Sequence, residues 1–331
     1  MSSEAKKIGI SLVVFFIKLE ISLLFHQIKS VFFYLDIVLQ KKVAKNIKIF
    51  YHLTMNFIKS KSIVFILFTL FSSLSFADDF SDYENDIINQ IQEFRFTTRA
   101  LPSAQAAIDA IADYRKTLLT DDVRSKLSKE AELTADNLLV LEQYNYMYEK
   151  EMKSPDLEPF IKPQYEKIAA WDAEHPFDKA NPYYILSSGD LTNSTMQFLP
   201  QGKAISLGIQ EKKNYDMVVA KYPKLAFGLI NAALWYYFAP PIGGGSMTKA
   251  REYFSRACEC AANNYEKFYA YVYYSQFLYE NNEMETCEKY LKKAEELLPD
   301  NRWTPFIRKM NKKSYSVLDY SNNREKIDKK L

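Results

Sequence analysis

The chain has 331 residues, with 43 basic and 41 acidic side chains for a formal net charge of +2, and its three cysteines are an odd count. The charge is unevenly spread: residues 1–77 hold ten lysines against three acids, leaving 33 basic and 38 acidic residues from Asp78 onward. That mildly acidic part lacks the basic block of a nucleic-acid binder, and it is long enough for one or two domains with a proper core.

A signal-peptide pattern begins at Met55. Met55-Asn-Phe-Ile-Lys-Ser-Lys61 is a short positive segment, Ile63 to Phe71 is apolar, and Ser75-Phe76-Ala77 is a small-x-small cleavage site before Asp78. The apolar run falls short of the roughly 20 residues a membrane span needs. The expectation is an exported protein, periplasmic or secreted after cleavage following Ala77, with no stable transmembrane segment in the mature chain. Residues 1–54, where lysines break every apolar run, read as an upstream mis-start, an extended leader or an interfacial anchor.

From Asp78, helical spacing recurs and no apolar/polar alternation persists. Tyr83, Ile87, Ile88, Ile91 and Phe94 describe an amphipathic helix. Pro102 opens a second, carrying Ala106, Ile108, Ile111, Ala112, Tyr114 and Leu118. Thr120-Asp-Asp breaks it with N-cap chemistry, and a third runs from about Val123 to Tyr148. Ser154-Pro155 and Glu158-Pro159 mark a linker, because proline is tolerated in the first helical turn but not inside. A helix with Tyr165, Ile168, Ala169 and Trp171 follows, stopped by His175-Pro176. Asn181-Pro182 starts the next, whose run Ser187, Ser188, Asp190, Thr192, Asn193, Ser194 and Thr195 has middling to low helix propensity. That hydroxyl-rich face either addresses a ligand, or is a solvated face or a partly irregular connection. After Pro200, a longer helix spans Lys203 to Lys221. These expectations define a divergent helical region over 78–202.

The region 203–318 carries repeats. Between Phe268 and Asn301, Tyr271, Tyr274, Ser275, Leu278, Cys287, Leu291, Ala294 and Pro299 form one helical hairpin with Asn281-Asn282 as its turn. Small residues stand where two helices would cross, and large ones where the next pair would stack. One unit earlier, Leu229, Ala232, Ala233 and Tyr236 repeat the first-helix spacing, and Ala250, Phe254 and Ala257 repeat the second. The insertion Pro240-Pro-Ile-Gly-Gly-Gly-Ser-Met-Thr-Lys249 lengthens the turn between them. It is not a phosphate loop, since it follows a helix and lacks the Gly-Lys-Ser/Thr ending. A further helix begins near Thr304-Pro305, and 319–331 reads as a polar tail.

These spacings resemble the tetratricopeptide-repeat (TPR-like) family, over residues 226–301 and more weakly over 203–225. The resemblance implies an all-α fold of antiparallel helical hairpins stacked as an α-solenoid, with divergent N-terminal helices packed onto it. It also implies a binding scaffold whose first helices line a concave groove. Carried onto this chain, the groove positions are Tyr269, Val272, Tyr273, Gln276 and Tyr279, with Phe227, Asn231, Leu234 and Tyr237. Tyrosine buries much area with few rotamers to freeze, which suits peptide recognition. The helix bearing these tyrosines is apolar nearly all round, however, as buried helices are.

No catalytic constellation stands out. His175 is the sole histidine after residue 77, too few for a histidine-rich metal site, and Cys258 and Cys260 do not share a helix face. A bridge from Cys287 to either stays open. No enzyme activity, metal or cofactor is expected. The leading expectation is a scaffold binding a protein or peptide at the cell envelope. The alternatives are a solute-handling accessory protein resembling the T component of tripartite ATP-independent periplasmic transporters, and a structural envelope protein.

Overall fold

Among residues 80–330, eight helices start at a residue whose side chain caps the first turn. The computed structural model describes residues 80–330, so the readings made for 1–77 lie outside the described residues. Thirteen α-helices and no strand occur among them. In order they are α1 (Asp82–Thr97), α2 (Ala104–Leu118), α3 (Asp121–Arg124), α4 (Lys129–Lys150), α5 (Leu157–Asp172), α6 (Pro182–Thr195), α7 (Gln201–Lys221), α8 (Ala226–Phe238), α9 (Met247–Cys260), α10 (Asn264–Glu280), α11 (Met284–Leu297), α12 (Trp303–Lys312) and α13 (Val317–Asp328). The fold is all-α, as expected.

Ser81 and Glu84 form a reciprocal capping box at α1. Glu84 also accepts the backbone N–H of Ser128 at 2.7 Å, which ties the start of α1 to the start of α4. The hydroxyls of Ser103, Ser128 and Ser246 cap α2, α4 and α9. Within the long turn before α9, Gly244 takes φ +90°, a conformation that disfavours side chains bearing a Cβ.

Four boundaries differ from the sequence reading. The expected helix from Val123 is two helices, because the Ser128 cap restarts the chain after the single turn of α3. Pro159 lies in the first turn of α5 rather than in a linker, and Pro163 is accommodated inside that helix. The segment from Trp303 to Leu318 breaks at Ser314, which has φ 66°, giving α12 and the start of α13. The stretch from 319 on, expected as a polar tail, continues α13 through Asp328.

Helix α4 is the hub of the first half, packing against α1, α2, α5 and α6. From Leu133 to Tyr144 every side chain on it is buried. The second half is built from adjacent pairs: α8 packs on α9, α9 on α10, and α10 on α11. Their contacts have the chemistry read from sequence, with Ala232, Ala233, Ala250, Ala257, Ser275 and Ala294 fully buried around Phe254 and Leu291. Burying one such phenylalanine stabilises the fold by about 1.5–3 kcal/mol. The three cysteines are free. The two halves meet where α8 packs on α6, and where α10 packs on α1.

Candidate functional site

The α1–α10 seam is organised by charges. Arg95 stands in the last turn of α1, and Arg99 four residues on in the 3-10 turn Thr98–Ala100 that continues it. Glu142 of α4, with no exposure of its side chain, receives both: Arg95 Nε donates to Oε2 at 3.0 Å and Arg99 Nη2 to Oε1 at 2.9 Å. Tyrosines of α10 complete the shell. Arg95 Nη1 donates to the Tyr265 hydroxyl at 3.0 Å, and Arg99 Nε to the Tyr269 hydroxyl at 2.9 Å. The Arg99 guanidinium also stands 5.0 Å from the ring centres of Tyr146 and Trp303, within cation–π range. Burial works against both arginine charges, but the neighbouring carboxylate and tyrosine oxygens outweigh it and hold their pKa values above the ordinary one.

Beside this cluster lies a cavity of about 230 Å³. Val272 aside, five of the other eight expected groove residues reach its lining: Tyr269 and Tyr273 from α10, and Phe227, Asn231 and Leu234 from α8. Arg95 from α1, Arg99 from the 3-10 turn after it, Glu142 and Asn145 from α4, Asp190, Asn193 and Ser194 from α6, and Tyr265 and Glu266 from α10 supply the polar part. The other three expected residues go elsewhere. Gln276 is fully buried, and its Oε1 accepts the Val317 N–H at 2.9 Å. Tyr279 donates to the Asn311 carbonyl at 2.8 Å, and Tyr237 donates to Glu280. Both tyrosines border a separate surface depression between α8, α10 and α13. The face proposed from sequence as one groove is thus divided, because α12 and α13 fold back over its far end. Val272, carried with these positions, is fully buried.

The hydroxyl-rich run on α6 is neither solvated nor, for the most part, aimed at the cavity. Ser187, Ser188, Thr192 and Thr195 are buried. The hydroxyls of Ser187, Ser188 and Thr195 donate to helix carbonyls three or four residues back, which lets them sit in the interior satisfied. Asp190, Asn193 and Ser194 alone of this run line the cavity. Burial pushes the Asp190 carboxyl up to about 6, against the opposing hydrogen bond from Asn231 at 2.8 Å and the charge of Arg95.

A second cavity of about 430 Å³ shares Arg99 and Asn145 with the first. Its lining adds Arg302, Trp303 and Phe306 of the α12 segment and Tyr320 and Arg324 of α13. The backbone N–H of Arg302 donates to the Arg99 carbonyl at 2.9 Å, which fixes the two segments edge to edge.

The arginines and Glu142 were missed in the sequence, although a signal was there. Arg95 continues the apolar stripe Ile87, Ile88 and Ile91, and Glu142 ends the run Leu138 to Leu141. A charge set into an apolar stripe implies a buried partner.

No group of three or more metal-ligating side chains occurs among the described residues. No helix among them is long and apolar enough to cross a membrane. Compared with family models and with characterised proteins, the chain matches none.

Proposed function

We propose that this chain is an exported, non-catalytic binding protein that holds a small solute in the cleft between α1 and the helices α8 and α10. The observation that carries the proposal is the 230 Å³ cavity, where five expected groove residues meet the side chains of Arg99, Asn145 and Ser194. Polar groups converging among aromatic walls are the usual anatomy of a small-molecule site. The volume is too small for a peptide helix, and Gln276 and Tyr279 are engaged internally.

In this proposal α8–α11 are two tetratricopeptide-like hairpins of an α-solenoid, supported by the packing of α8 on both α9 and α10. The role is that of a solute-handling accessory protein at the cell envelope, similar to the T component of tripartite ATP-independent periplasmic transporters. A protein or peptide partner is the second reading. It is favoured by the depression holding Tyr237 and Tyr279, where Phe238 and Met284 are 43% and 49% exposed.

Thermal melting of the full chain against a panel of amino acids, carboxylic acids, sugars and nucleosides tests the choice. A ligand at about one hundred times its Kd adds about 2.7 kcal/mol, which raises Tm by roughly 5–10 °C in a protein of this size. Asn231→Leu should abolish the shift. No shift with any solute, together with capture of an envelope peptide that Tyr279→Ala abolishes, would move the function to the second reading.

A further inference from the structure

We propose that the 430 Å³ cavity is the anion-binding half of the cleft and takes the carboxylate of a small organic acid with an aromatic or branched apolar body. The inference rests on the small-solute reading and names the ligand class. Three guanidinium groups, Arg99, Arg302 and Arg324, line this cavity against one carboxylate, Glu149. Each has a partner: Arg99 shares Glu142 with Arg95, Arg302 takes Glu149 at 3.0 Å, and Arg324 Nε reaches Asp328 at 3.3 Å. Of these carboxylates only Glu149 stands in the cavity lining, so the three arginines dominate the charge facing the cavity.

The guanidinium groups are also held in place before any ligand arrives. Arg324 donates to the carbonyls of Tyr148 and Glu149 at 2.7 and 2.8 Å, at the C-terminal end of α4, where helix carbonyls lack internal partners. It lies 5.4 Å from the Tyr148 ring and 6.0 Å from the Tyr320 ring. Arg302 is held through Nη1 by Glu149 at 3.0 Å, and a guanidinium fixed in this way is a charged donor group suited to a carboxylate oxygen. Around these charges stand Trp303, Phe306, Val317 and Tyr320. A sugar or an inorganic anion would leave those apolar walls unused, whereas an apolar body with one carboxylate uses both features.

Isothermal titration of the full chain with phenylacetate, phenylacetamide and acetate tests the inference. Phenylacetate should bind, and both comparators at least about tenfold more weakly, the smallest loss that removing a charged hydrogen bond or an apolar body produces. Arg302→Gln and Arg324→Gln should each weaken phenylacetate binding by about tenfold or more. Lys153→Ala, in an exposed ion pair outside the cavity, should leave it unchanged, and melting curves verify that every variant is folded. Equal binding of phenylacetamide and phenylacetate, absence of phenylacetate binding, or undiminished binding by the folded arginine variants overturns the inference. A neutral solute whose binding depends on Asn231, without phenylacetate binding, would sink the anion assignment and leave the solute reading standing; no solute binding at all would remove both.

Discussion

The interiors of the two halves solve burial by opposite means. Between α8 and α11 the helices meet through alanines, Ser275 and phenylalanine rings, so stability there derives from apolar area and fit. Around α4, α6 and α7 the interior holds buried Glu142, Asp136, Asn137 and Glu211 and half-buried Asp190. Two of these carboxylates depend on arginine partners: Arg124 grips Asp136 through two hydrogen bonds of 2.9 Å, as Arg95 and Arg99 grip Glu142. The first half is therefore sensitive to pH and to loss of a single partner, while the second is sensitive to volume. The 230 Å³ cavity lies at the seam where these two kinds of interior meet, lined from α4 and α6 on one side and α8 and α10 on the other, so aromatic walls and fixed charges come together there.

The matched substitutions Glu142→Ala and Phe254→Ala probe that contrast with the largest effects. Glu142→Ala leaves two buried guanidinium groups without their shared carboxylate and should cost roughly 3–5 kcal/mol. Phe254→Ala opens a cavity at a fully buried site and should cost a similar 3–5 kcal/mol. Urea melts would separate the two: the Glu142→Ala loss should shrink when Arg95→Ala is added, while the Phe254→Ala loss should add to either. A Glu142→Ala loss below about 1 kcal/mol would mean that solvent or rearranged side chains replace the carboxylate, and the first half would not be the charge-dependent one.

A smaller effect concerns pH. Burial, with Asp172 and Asp190 nearby, pushes the Glu211 carboxyl up to about 8, so the folded state holds a proton that the unfolded chain releases near 4.5. Its favourable contribution is complete below about 4.5 and declines until the folded group ionises near 8. Asp172, raised by burial to about 6, and Asp190 act in the same direction over a lower window. Glu211→Gln should therefore match the parent at pH 4.5 and exceed its stability at pH 9 by on the order of 5 kcal/mol. Parallel stability-versus-pH curves for the two proteins would place Glu211 in an ordinary solvated environment instead.

Helix identity was legible because α-helical spacing and serine caps are local, and the hairpin residues from Leu229 to Leu291 were legible because small residues recur at fixed intervals. The division of the groove was not. It depends on Ser314 adopting a left-handed backbone, which turns α13 back so that Val317 meets Gln276, and nothing local in Ser314-Tyr315-Ser316 marks that turn. Of the site, the α8 and α10 residues could be read from spacing. Arg302 and Arg324 could not, because their relation to Arg99 is set by packing across some 200 residues of chain, and a surface arginine looks the same in sequence as a cavity-lining one. The α6 hydroxyls were legible as unusual, but their burial reflects α4 packing over them, with Asn137 donating to Ser187 at 3.4 Å.

The finest test of the seam is Gly189, on α6 where it faces α7. In an exposed helix interior, Gly→Ala stabilises by about 1 kcal/mol because alanine has less backbone freedom to lose. Here an added Cβ would stand 2.4 Å from Glu211 Oε2 and 3.0 Å from the Tyr215 hydroxyl. Glu211 can swing its carboxyl, but only within a buried space, and the Tyr215 hydroxyl is held by Asn193 at 2.8 Å. Overpacking of this kind costs about 1–3 kcal/mol, so Gly189→Ala should destabilise by about 1 kcal/mol net. In a Glu211→Ala background the closer of the two contacts is gone and only that with Tyr215 remains, so part of the helix preference should reappear, with a coupling of about 1–2 kcal/mol between the two sites. Additive effects would mean that Glu211 moves away freely, and the same mobility would remove the enclosure that raises its pKa, so the pH and packing measurements on this residue must agree.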